Sequence, residues 1–324
     1  MESNIEGYTG TQLTNVTISA SGYTGTKVSG AKNTTSYTPT VKLENVKIQT
    51  YNFDMNDITT IIDFNSIGNY EMNMKDSIRG FYGANQNNPI YLFEYGILED
   101  PEVGPIDKSS FAYKHAQTLL TIFEKNGITE ESDMYYFLHV LKGQGCGYSA
   151  ISNIVVDYYK NDPDAFYKKF GYPLYEKYNG IIIANYDYLV LDLFLQMNEY
   201  GQNDYAIRYD GMEECLKNSF DDKEVTVMLC PCDNTIATYK QYVLNGEYDY
   251  AVIAVSDFDL YPTITNPQDE THMDGGHWMT ITQTNYAMDI FIVSSWGYQW
   301  ELLGNTPYIE TQDGGLILIK IGDK

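Results

Sequence analysis

Apolar residues recur at helical spacing through the middle of the chain and at alternate positions towards its end. Phe111, Leu119, Ile122 and Phe123 share one face of a helix expected from Ser110 to Lys125, with Gly127 as its stop. A second, shorter helix is expected around Asp133 to Val140. In GQGCGYSAISNIVVDYY, from Gly143 to Tyr159, the residues Ala150, Ile151, Ile154, Val155 and Tyr158 fall on one buried face of a third. Asp162 followed by Pro163 signals the start of a fourth, and Leu189, Val190, Leu193, Phe194 and Met197 mark a fifth that ends near Gly201. The pattern then becomes extended. Val225–Leu229, Tyr250–Val255, Trp278–Ile281, Ile290–Ser294 and Leu316–Ile321 read as strands, several with period-two alternation, and Asp257–Asp274, with Pro262 and Pro267, as a long surface loop.

The first hundred residues carry a different pattern. GYTGT at Gly7–Thr11 returns at Gly22–Thr26, followed by Thr- and Val-rich runs, by Val41, Leu43, Val46 and Ile48, and by the apolar run Ile58–Phe64. Short strands joined by glycine turns are expected there. Leu98–Lys108, LEDPEVGPIDK, carries two prolines, a glycine and four acids and reads as an exposed connector. The expected class is α+β, with a β-rich N-terminal module over 1–105 and a body over 106–324, helical to about 222 and extended from about 223. The module reads either as a removable pro-segment or as a permanent accessory domain.

Charge narrows the partners. The chain has 44 acidic and 20 basic residues, a net charge of -24, and only Arg79 and Arg208 as arginines, which argues against nucleic acid. The same field repels anionic membranes, and no stretch is long and apolar enough to insert in a bilayer. Four cysteines, Cys146, Cys215, Cys230 and Cys232, are too sparse for a stapled scaffold and lack the spacing of a structural zinc site. A bridge from Cys215 to Cys230 or Cys232 stays open. The opening MESNIEGYTG has no charged-then-apolar leader, which fits a cytoplasmic protein or a mature region. The Thr, Ser, Gly and Asn richness of the first segment and the 31 tyrosines point instead to an extracellular or cell-surface protein.

Candidate chemistry begins at Cys146, one glycine ahead of the helical pattern. The positive end of a helix dipole and its unpaired N–H groups stabilise a thiolate there; the other reading is a small core residue. A nucleophilic thiol needs a base, and the chain offers four histidines. His115 and His139 lie in the helical part and read as structural, and His272 sits in the polar loop. His277 follows Asp274, Gly275 and Gly276 and opens the apolar strand WMTI.

These residues carry a resemblance. The run C-G-x-x-A-I-x-x-I-x-x-x-Y-Y from Cys146 resembles the nucleophile helix of the bacteriocin-processing (C39-like) branch of papain-like cysteine peptidases. GGHWMTI resembles the histidine strand of that superfamily, and Ser295, Trp296 and Gly297 in VSSWGYQW, followed by GGLILIKIG, resemble the N-S-W-G motif and closing strand of papain itself. The resemblance spans about residues 106–324 and implies a two-lobed papain-like fold that hydrolyses a peptide or protein substrate without metal or organic cofactor. It implies Cys146 as nucleophile, His277 as base and then acid, and Trp296 as a shield over the histidine. Two auxiliary positions depart from the family. Ser294 stands where the family has the asparagine that orients the imidazole, with Asp289 or Asn285 as substitutes. Val140 stands six residues before Cys146, where the family has its oxyanion glutamine, which leaves Gln144 as the local candidate beside the Cys146 N–H. Two other functions stay open: acyl transfer of the transglutaminase type, and a papain-like scaffold with decayed catalysis that serves in binding or adhesion.

Overall fold

The structure is a computed structural model that describes residues 58–60, 73–74, 77–78 and 83–324, the latter without 98–107, 110, 179–180, 203, 232–235, 264–265, 267, 286–288 and 305–314. The strands and glycine turns expected over 1–57, most of the Leu98–Lys108 connector and Cys232 lie outside the described residues. Two compact units divide the chain, Met1–Asp57 and Ile58–Lys324.

The second unit is α+β. Its helices are α1 (Asn88–Ile97), α2 (Phe111–Lys125), α3 (Glu131–Gln144), α4 (Cys146–Tyr159), α5 (Pro163–Phe170), α6 (Tyr186–Met197), α7 (Tyr209–Ser219) and α8 (Ile236–Tyr239), the last continued by a π-turn over Lys240–Leu244. Its strands are β1 (Ile58–Thr60), β2 (Asn73–Met74), β3 (Ser77–Ile78), β4 (Tyr175–Tyr178), β5 (Ile181–Ala184), β6 (Lys223–Pro231), β7 (Tyr250–Val255), β8 (Phe258–Pro262), β9 (Thr271–Met273), β10 (His277–Asn285), β11 (Ile290–Ser295), β12 (Tyr298–Leu303) and β13 (Gly315–Asp323). The large sheet is antiparallel in the order β6-β13-β7-β10-β11-β12-β8-β9. β1 pairs with β10 at Gln283–Asn285, beyond the residues paired with β7.

Period-two alternation decides which face each strand residue covers. Val252, Ala254, Trp278, Ile317 and Ile319 pack with the helices, whereas Ala251, Ile253, Val255, Met279, Ile281, Leu316 and Leu318 join Ile236, Tyr239 and Val243 on the opposite side. Both faces are therefore covered, at about 1.5–3 kcal/mol for each fully buried large apolar side chain. α5 starts as its sequence demands, with Asp162 Oδ1 accepting from the Ala165 N–H at 3.0 Å, and Gly171, at φ 88°, ends it.

Three expectations change. Within the expected loop Asp257–Asp274, β8 and β9 pair over Phe258–Leu260 and Thr271–Met273, because Phe258 and Leu260 alternate into the core. α4 is buried almost all round, with Asn153 and Asp157 hydrogen-bonded to strand residues and its apolar residues in the helical core. The boundary expected near residue 105 is not a packing boundary, since Ile90, Leu92 and Phe93 of α1 belong to the helical core. Pro89 in the first turn of α1 is a helix start that the surrounding Asn and Gly residues obscure.

Candidate active site

One residue separates α3 from α4. The Gly145 N–H closes the first helix on Leu141 O at 2.8 Å, and Gly145 O accepts from the Ser149 N–H at 3.0 Å to open the second. A Cβ at Gly145 would lie 2.5 Å from Leu141 O and Cδ1, so so sharp a junction requires glycine. Cys146 is thus the first residue of α4, and no side chain caps that helix. The N–H groups left over in the first turn act on its sulfur instead.

The sulfur faces β10. The backbone N–H of Trp278, the residue after His277, reaches the thiol together with those of Gly147 and Cys146. Trp278 Nε1 donates to Ile207 O at 3.1 Å, which ties Ile207 to β10. A Cβ on Gly147 would collide with Ile207 Cγ2 and approach Trp278 Cδ1 to 3.4 Å. Gly147→Ala is accordingly expected to destabilise the protein by about 1–3 kcal/mol, measured by denaturant unfolding.

The imidazole of His277 is 5% exposed and its Nε2 lies 2.7 Å from Ser295 Oγ. With Nε2 so engaged, Nδ1 is the ring nitrogen left to exchange a proton. Trp296 stacks on the ring at 4.6 Å between centroids, and Phe258 lies parallel to it at 6.3 Å. This geometry comes from a two-residue hairpin: Trp296 and Gly297 take φ 49° and 76°, and Ser295 pairs with Tyr298. Trp300 Nε1 donates to Ser295 O at 3.1 Å and fixes the turn from below.

Ser294, expected to orient the imidazole, is not the serine bonded to its Nε2. Successive strand residues face opposite ways, and Ser294 Oγ points at α4, where it accepts from Asn153 Nδ2 at 3.2 Å. The partner is its neighbour Ser295. Asn285 ends β10 at the opposite extremity from His277, and Asp289 lies beside Gly304, so neither is a substitute. Gln144 is exposed, and its Oε1 accepts from the Tyr205 N–H at 2.9 Å, which turns it to the 198–208 loop. A different glutamine lies against the junction of α3 and α4. Gln86 is buried, its Cβ 3.0 Å from where a Gly145 Cβ would stand, and its Nε2 donates to Lys142 O at 3.3 Å. Nothing in local spacing could have found it, because it arrives from a segment ahead of α1.

The other histidines are placed elsewhere. His115 is buried between Asp187, at 3.3 Å from Nε2, and Tyr188, at 2.7 Å from Nδ1, and His139 is exposed on α3. Asp257, His272 and Asp274 bring three donor atoms within 4.8 Å of one another, but all are exposed. The hydrogen bond from His272 Nδ1 to Asp259, at 2.8 Å, and the nearby carboxylates raise its pKa, so a solvated imidazolium accounts for that group. Cys215 is a buried free thiol, not half of a bridge.

Burial acts on both members of the candidate pair. It pushes the Cys146 thiol up against the opposing pull of the three N–H groups, and it lowers His277 to about 4. The resting pair at neutral pH is therefore thiol and neutral imidazole, not thiolate and imidazolium. A cavity of about 260 Å³, lined by Tyr148, Ile207, Asp204, Arg208 and Asp210 among others, reaches the first turn of α4 at Tyr148, and neither Cys146 nor His277 lines it. The chain matches no protein-family model, and no curated protein matches it.

Proposed function

We propose that the protein is a thiol-dependent peptide hydrolase with a papain-like arrangement of Cys146 and His277. The observation that carries this reading is the His277 ring, bonded to Ser295 and covered by Trp296, on the strand whose next N–H reaches the Cys146 sulfur. In the proposed reaction the sulfur attacks the peptide carbonyl carbon while its proton passes to His277 Nδ1. The Nε2–H, donated to Ser295 Oγ, keeps the ring in that tautomer. The carbonyl electrons collect on the oxyanion, towards which the Cys146 N–H turns from the sulfur once the sulfur has bonded to carbon, with Gln86 as the nearby side-chain candidate. The imidazolium then gives its proton to the leaving amine as the C–N bond breaks. Water, deprotonated by the same nitrogen, hydrolyses the thioester and returns the thiol.

A neutral resting pair makes proton transfer part of the attack. The base must then sit in register with the thiol, and a misplaced ring is costly. Ser295→Ala is expected to lower kcat by about tenfold or more, while Ser294→Ala keeps it within about threefold, as read from initial rates. The decayed-scaffold reading rested on Ser294 and Gln144. Ser295 and Gln86 now stand nearer to those two roles, which favours an active site. The net charge of -24 favours basic peptides through steering.

Cleavage of a mixture of unfolded polypeptides, followed by mass spectrometry of new termini, tests the proposal. Stoichiometric alkylation of Cys146 should stop it, and cleavage that continues at the full rate would rule the reading out. Amine adducts outnumbering hydrolysis products would reassign the chemistry to acyl transfer.

A further inference from the structure

Asn153 lies two helical turns beyond Cys146, on the same side of α4, and is 1% exposed. Its amide touches three other segments. Oδ1 accepts from the Ala84 N–H at 2.8 Å; Nδ2 donates to Thr280 Oγ1 at 3.0 Å and to Ser294 Oγ at 3.2 Å. Thr280 Oγ1 in turn donates to Ala150 O at 3.0 Å, so the strand is tied twice to the helix. Each segment reached in this way carries a residue of the candidate site. Ala84 is two residues from Gln86, Thr280 three from His277, and Ser294 adjoins Ser295. The Gly297 N–H donates to Ala84 O at 3.0 Å, which links the Trp296 turn to the same segment.

We infer that Asn153 is a positioning residue that sets the register of the nucleophile helix against the base strand, the Ser295 strand and the Gln86 segment. The inference rests on the proposed Cys146–His277 chemistry. A buried amide suits the task because its donors and acceptor have fixed, opposed directions, and in a water-free contact each bond is strengthened and each mismatch penalised. An apolar residue of similar volume would fill the space but leave the strands free to settle where packing alone allows. A shift on the order of 1 Å between thiol and imidazole is enough to cost about a hundredfold in rate.

The test reads site geometry separately from stability. The rate of Cys146 alkylation by iodoacetamide is followed in the full chain from about pH 5 to about pH 10, with thermal melts alongside. Asn153→Ala should slow alkylation near neutrality about tenfold or more, to the rate of His277→Ala, and give the pH profile of a lone thiol. Ile154→Val, which trims the helical core, should lower stability but keep the wild-type alkylation rate. An Asn153→Ala protein with a lowered melting point but wild-type rate and profile would reduce Asn153 to a packing residue and overturn the inference, leaving the hydrolase reading intact. Wild-type protein alkylated no faster than His277→Ala would overturn both. Should Asn153→Ala fail to fold, the pair Thr280→Val with Ser294→Ala removes the two acceptors instead and is judged by the same outcomes.

Discussion

Cys146→Ala is expected to lower kcat/KM for peptide cleavage by about 10³-fold or more while shifting the melting temperature by no more than about 3 °C. The two halves of this result have separate causes. The stability change is small because Cys146 is half-buried at the first residue of α4, packs only at the edge of the helical core, and caps no helix. Activity is expected to be lost because the proposed thioester forms on this sulfur. His277→Ala should cost a similar factor, and the double variant little more than either alone, since the proposed reaction uses nucleophile and base as one unit. Initial rates on a cleaved peptide check this directly. A double variant whose loss equals the product of the single losses would mean that the two residues do not act together.

Much of this arrangement is legible in the sequence. The helices from α2 to α6 and the strands β6, β7, β10, β11 and β13 follow from apolar spacing, because each buries at least one regular face. What was not legible depends on partners far away in the chain. Asn153 and Asp157 look like the solvated side of an amphipathic helix, yet both are buried, with Asp157 Oδ2 accepting from Tyr250 OH at 2.9 Å. Periodicity distinguishes apolar from polar, not solvated from hydrogen-bonded.

The candidate site divides along the same line. Cys146 and His277 are marked by their local settings, a glycine-flanked helix start and a strand opened by two glycines. Ser295 was missed by one position because matching four letters of a motif fixes the hairpin but not which side each residue faces. The turn at Trp296 and Gly297, with both residues at positive φ, decides that. Gln86 is further from reach: the chain folds back from ahead of α1 to place it at Gly145, and only the contact itself reveals it.

Lowering the pH should expose the buried base. His277 protonates at about 4 in the folded protein and near 6.5 when unfolded, so between those values the unfolded chain binds the additional proton. Stability contributed by the neutral ring is then fully present above about pH 6.5 and is lost progressively as the pH falls to about 4. The loss amounts to about 3 kcal/mol, at about 1.4 kcal/mol per unit. Carboxylates also gain protons towards the lower end of this window, so the contribution of the ring is the difference between wild type and His277→Gln, whose side chain does not titrate. Denaturant unfolding at several pH values should show the wild type losing about 3 kcal/mol more than the variant. Parallel slopes in the two proteins would mean that the ring takes up its proton as readily in the folded chain as in the unfolded one, and burial would then not lower its pKa. The proposed catalysis would depend on the same ring, because only the uncharged imidazole can take the thiol proton. The acid limb of kcat/KM should therefore fall near pH 4, well below the value of a free histidine.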